Sequence, residues 1–105
     1  MRTLDESSDG QAITLRVGER FTLTLAENPS TGFRWQLVAD AAPLCSVAAD
    51  HFEPAVHPPG RPGMHSWEFE AAQAGDARIA LAYRRAWERR RAPARTFTLH
   101  VQVRA

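Results

Sequence analysis

The stretch Thr96-Phe97-Thr98-Leu99-His100-Val101-Gln102-Val103 is the most regular in the chain: Phe97, Leu99, Val101 and Val103 alternate with Thr98, His100 and Gln102. A period of two places alternate side chains on opposite faces of an extended strand, so this segment predicts a strand with one buried face. Its purity predicts a central or well-paired position. Working back along the chain, Ile79, Leu81 and Tyr83 repeat the pattern, as do Trp67, Phe69 and Ala71, which alternate with Glu68 and Glu70. Phe33, Trp35 and Leu37 alternate with Arg34 and Gln36, which predicts Trp35 on a strand's inner face. Ile13, Leu15 and Val17, then Phe21, Leu23 and Leu25, flank Gly18-Glu19 and read as a hairpin-like start. A weaker strand is expected over Val47–Glu53, and a helical turn over 39–49 would be limited by Pro43.

About seven short strands, turn signals between them and no convincing amphipathic helix predict an all-β, immunoglobulin-like antiparallel β-sandwich. The length of 105 residues allows one domain, because two independent cores of half that size would be too small to hold together. We expect a loose N-terminal tail over residues 1–11, the domain over 12–105, and a monomer. Hydrophobic residues at 44% and charged residues at 24% fit a globular chain rather than a disordered or fibrous one. Neither an 18-residue apolar run nor a signal-like apolar segment is present, so no membrane association is expected. As written the chain reads as cytoplasmic, or as periplasmic or secreted if an export signal was removed.

All 13 basic residues are arginine, against 12 acidic residues. Residues 84–95, RRAWERRRAPAR, hold six arginines and one glutamate, a net +5, while the rest of the chain sums to −4. One basic segment therefore sits on an acidic body.

Three loops could carry function. Asn28-Pro29-Ser30-Thr31-Gly32 is stiff, narrow and polar: Pro29 fixes its own φ, Asn28 favours a local side-chain turn and Gly32 can take positive φ. His57 to Met64 contains three prolines and two glycines, including Gly60-Arg61-Pro62-Gly63, and excludes regular structure. The Tyr83–Pro93 segment contains Arg85-Ala86-Trp87, where Trp87 breaks the strand alternation and becomes a candidate exposed anchor. Each could be a plain connection. In an immunoglobulin-type sandwich, however, the three connections at these positions emerge at one end.

The segments NPSTGF (28–33), PGRPGMHSWEF (59–69) and LAYRRAWERRRAPARTFTLHVQV (81–103) resemble the chagasin-like inhibitors of papain-family cysteine proteases. The resemblance runs from about residue 12 to the C-terminus. That family carries an NPTTG loop, a GxGG-type loop and an RPW loop in a YxRPWE…PxxTFTxxVxV context. Asn28, Pro29, Thr31 and Gly32 match, and Ser30 is a conservative change. Pro62 replaces the second loop's third-position glycine, and Ala86 replaces the third loop's proline. The resemblance implies a reversible, competitive inhibitor of a papain-like cysteine protease. Protease contacts would fall on Asn28, Pro29, Ser30, Thr31, Gly32, Gly60, Arg61, Pro62, Gly63, Arg85, Ala86 and Trp87.

The residues do not suggest an enzyme. Cys45 lies beside Leu44 and Val47 and reads as a small core residue, and the four histidines lack metal-ligand spacing. No cofactor or metal is expected. Two other readings stay open. The arginines of 84–95 around Trp87 could bind a polyanion, although nucleic acid is disfavoured by the acidic body. Alternatively, the chain could be an immunoglobulin-like adhesion or assembly domain.

Overall fold

Phe97, Leu99, Val101 and Val103 are all buried, and the strand that carries them has neighbours on both sides. In the computed structural model, which describes residues 2–54, 62–88 and 90–105 (Pro29 by its backbone only), eight strands form two four-stranded sheets. The strands are β1 (Arg2–Leu4), β2 (Ala12–Arg16), β3 (Arg20–Glu27), β4 (Phe33–Asp40), β5 (Cys45–Glu53), β6 (Gly63–Ala71), β7 (Gly75–Arg85) and β8 (Arg95–Arg104). One sheet runs β1-β3-β6-β5 and the other β2-β8-β7-β4. Their inward parities meet in one apolar layer containing Phe21, Leu23, Leu25, Trp67, Phe69, Ile79, Leu81, Phe97 and Leu99. Phe21 and Phe69 stack at 5.1 Å between ring centroids. That stack is a cross-strand pair within one sheet; burying each such ring or branched chain contributes about 1.5–3 kcal/mol, and the contact between the two inward faces holds the layers.

The architecture is the expected all-β sandwich, with three local differences. Two pairings, β1 with β3 and β2 with β8, are parallel, so both sheets are mixed. The β2–β3 segment is no hairpin. Gly18, at φ 93°, donates to the Ala71 carbonyl, Val17 donates to Arg104, and the chain crosses from one sheet to the other. Each strand then buries its apolar face against the opposite layer, and Val17 is left exposed in the crossing. The N-terminal stretch expected to be loose is tied down. Residues 2–4 pair with β3, the Asp9 carboxylate accepts the Thr98 N–H at 2.8 Å, and Glu6 pairs with Arg95 at 3.3 Å.

Between Asp40 and Cys45 the chain turns without a helix. Leu44 and Cys45 both donate to the Ala41 carbonyl, and Ala41 sits at φ 64°. The strand expected over Val47–Glu53 begins two residues earlier, at Cys45. Cys45 is buried, and that burial pushes its thiol pKa up, which suits packing rather than nucleophilic chemistry. Among the described residues no helix is long and apolar enough to cross a membrane, and no His, Cys, Asp and Glu cluster could hold a metal ion.

Trp35 closes the loop end of the apolar layer, 6% exposed, with its indole N–H donating to the Ala26 carbonyl at 2.8 Å. Trp35→Ala removes that bond and leaves a large void. Urea unfolding should show a loss of about 3–5 kcal/mol, with the slope unchanged.

Candidate functional site

At the end of the sandwich where β3 runs into β4, a charged residue continues an apolar parity. Phe21, Leu23 and Leu25 point inward, and so does Glu27, which is 1% exposed. β4 is the outer strand of its sheet, so some of its N–H groups have no ladder partner. Glu27 Oε1 accepts the Trp35 N–H at 2.6 Å, and its Oε2 lies 3.1 Å from His65 Nδ1. The other ring nitrogen of His65 meets Asp50, and the imidazole stacks on Trp67 at 3.9 Å between centroids. One carboxylate thus links the roots of β3, β4 and β6 just below the loops.

Above it, residues 29–31 form one 3-10 turn closed by its own polar groups. The Thr31 N–H and hydroxyl both reach the Asn28 carbonyl, at 3.2 and 2.7 Å, and the Ser30 hydroxyl donates to the Asn28 side chain at 2.6 Å. The Tyr83 hydroxyl accepts the Asn28 N–H at 3.1 Å, and Tyr83 packs between Phe33 and Trp35. Ser30 and Thr31 are exposed at the tip. The loop is a pre-ordered wedge standing on an aromatic base.

Arg85, at the end of β7, joins this wedge to the third loop. Its Nε donates to the Thr31 carbonyl at 3.0 Å, its guanidinium lies 4.4 Å over the Phe33 ring, and its Nη1 pairs with Glu88 at 3.0 Å. The Glu88 N–H returns to the Arg85 carbonyl, so Arg85–Glu88 is a closed turn even with Ala86 at its second position. That turn presents Trp87, 70% exposed, with the edge of its ring against Gly32. Gly32 has φ 83°, and a β-carbon there would overlap the Trp87 ring. Two of the expected loops therefore form one surface.

Gly60 and Arg61 lie outside the described residues. The chain on either side of that second loop is placed beside the first, because Gly63 pairs with Glu27, and Glu53 with Met64. Pro62 is exposed, but Gly63 is buried as the first residue of β6. A β-carbon on Gly63 would meet the Glu53 carbonyl and the Phe52 ring. Its place is in strand packing at the loop's root rather than at an exposed tip.

The profile of the Chagasin family peptidase inhibitor I42 matches residues 14–101. The chain belongs to the chagasin family. Amoebiasin-1 of Entamoeba histolytica is 34% identical over 105 residues, covering 96% of this chain and 98% of that protein. Among solved structures, the cysteine protease inhibitor EhICP2 from Entamoeba histolytica superposes with a TM-score of 0.88 at 26% identity, covering 98% of this chain and 95% of the other. Amebosin in solution gives 0.76 at 31% identity, covering 98% and 97%. This is a family of inhibitors, not of enzymes.

In this chagasin-family chain, the residues beneath the loops were not singled out by motif. Glu27 and His65 nevertheless left a trace in the sequence, as polar residues on the inward parity of β3 and β6. Glu27→Ala leaves the Trp35 N–H unpaired and His65 beside an empty space. It should cost about 3 kcal/mol in chemical denaturation, against a smaller loss for Glu27→Gln, which keeps an acceptor. Gly32→Ala tests the loop contact differently. The new methyl group forces Trp87 off its seat and strains a left-handed backbone, so Trp87 indole NMR signals should move while the core signals stay.

Proposed function

We propose that the protein is a reversible, competitive inhibitor of papain-like cysteine proteases, with the Asn28–Gly32 turn entering the catalytic groove and the Arg85–Trp87 turn gripping its rim. The observation that carries this reading is the Arg85 bond to the Thr31 carbonyl, which locks the inserting loop to its neighbour before any partner arrives. Pre-assembly lowers the ordering cost of binding, because most of the loop's freedom is already lost in the free protein. The second loop, through Arg61 and Pro62, would flank the groove on the other side, since its ends leave beside Glu27 and Glu53.

The same bonds explain how a peptide could occupy a protease without being cut. A scissile peptide must lie extended, with its carbonyl free to meet the thiolate and the oxyanion donors. Here the Asn28 carbonyl accepts from Thr31 and the Thr31 carbonyl accepts from Arg85, within a 3-10 turn. Attack would require that network to open first. The polyanion reading has less support, because Arg85 is spent on Thr31 and Glu88, and Arg95 on Glu6.

Inhibition of papain by purified variants tests this. Thr31→Arg puts a long charged chain at the tip of the wedge and should abolish inhibition, while the lost hydroxyl bond to Asn28 lowers stability by no more than about 1 kcal/mol. Trp87→Ala should weaken it by about 2 kcal/mol, roughly thirtyfold, mainly through faster dissociation. Replacing Arg89, Arg90 and Arg91 together should change it by less than about threefold, since these are rim charges at most. Full inhibition by Thr31→Arg, or loss confined to the triple arginine variant, would overturn the wedge.

A further inference from the structure

Beside the Trp87 turn, on the outer face of the β4–β7 ladder, two arginines stand directly opposite each other: Arg34 pairs in register with Arg84. Opposed residues of an antiparallel pair point to the same side, and like charges there repel. The described ion pairs involve Arg20, Arg85, Arg95, His51 and His65, and none includes Arg34 or Arg84. Arg84 Nε is moreover buried with no hydrogen-bond partner. A buried guanidinium N–H left unpaired and an unrelieved like-charge rung both destabilise the fold. Both costs would be lifted by one group, an oxyanion placed between the two side chains.

The space for it exists. Arg34, Trp35, Gln36, Arg84 and Ala86 line an open groove of about 510 Å³. Two planar guanidinium forks and the Gln36 amide supply donors suited to a planar acceptor, while Ala86 and the methylenes of the two arginines supply apolar surface. That mixture fits the carboxylate and methylenes of an Asp or Glu side chain better than a compact inorganic anion. β4 is an outer strand, so a chain can approach from the side, and Ala86 makes the groove continuous with Trp87. The other sheet carries Glu68 and Glu70 around Arg20, so an acidic group is steered towards the arginine side.

We infer that the Arg34–Arg84 groove is a carboxylate-binding site that receives an acidic side chain from the rim of the protease held by the loops. This rests on the inhibitor reading above. It makes the groove a determinant of which enzyme is held: a rim carboxylate that meets the arginines is favoured, and a basic rim is repelled.

Two experiments test it. In the free protein, the ¹H–¹⁵N signal of Arg84 Nε is followed while capped glutamate, capped glutamine or inorganic phosphate is added at constant ionic strength. Capped glutamate should shift it saturably and capped glutamine should not; a stronger response to phosphate overturns the carboxylate assignment. In the complex with papain, Arg34→Gln and Arg84→Gln should each speed dissociation about tenfold, with more loss at low salt than at high. Arg78→Gln, an exposed arginine further along β7, should leave the rate unchanged. Melting temperatures of the groove variants should hold or rise, since each removes a repulsion, so slower folding or unfolding cannot mimic the effect. An unmoved Arg84 signal together with wild-type dissociation rates overturns the groove. A response to glutamate with unchanged dissociation overturns the protease as its source. If the parent chain fails to inhibit papain, the inhibitor reading and the enzyme as occupant fall together, and the glutamate titration alone decides whether the groove binds carboxylates.

Discussion

The Glu27 carboxylate is the most deeply buried of the polar ties that join the two sheets beneath the loops. It projects from the end of β3 in one sheet, accepts the Trp35 N–H of β4 in the other, and faces His65 on β6. Apolar contact between the layers is strong but non-directional, and would tolerate small slides of one sheet over the other. A buried carboxylate with fixed partners does not tolerate them, because each lost bond leaves a charged or polar group without water. The Asn28–Gly32 turn begins at the next residue, so its position in space follows from this contact.

From that anchor the site is assembled in two tiers. The lower tier is aromatic: Tyr83, Phe33 and Trp35 pack together, and the Tyr83 hydroxyl takes the first N–H of the turn. The upper tier is polar and is organised by Arg85, which touches Phe33, Thr31 and Glu88 at once. Arginine suits this place because a flat, delocalised cation can lie on a ring with its face while donating from its edge. The binding surface is therefore not three independent loops on a frame. Its first and third loops are one unit, and the exposed Trp87 ring is held in place by its neighbour's lack of a β-carbon.

Charge is divided with similar economy around the sandwich. The arginine-rich segment, conspicuous as a block in the sequence, is dispersed by the fold. Arg85 organises the site, Arg95 pairs with the N-terminal stretch, and Arg84 lies opposite Arg34 on the outer face of the β4–β7 ladder. A block of like charge is therefore several separate local environments, each to be read by what lies against it.

The alternation of Phe97 to Val103 and its counterparts determined the strands, their buried faces and the sandwich, because a period of two has only one way to bury its apolar set. The loop motifs, through Asn28 to Gly32 and the surroundings of Trp87, carried the family resemblance, since stiff turns depend on particular local residues. Pairing across the chain was decided elsewhere. Nothing near residues 2–4 or 12–16 specifies that these strands join β3 and β8 in parallel; that depends on which strand edges the rest of each sheet leaves free. Likewise Glu27, His65 and Asp50 are far apart in the chain, and Arg34 and Arg84 come together only through the β4–β7 register. Local physics sets the conformation of a strand or turn, whereas the partners of a buried charge are chosen by the packing of whole sheets.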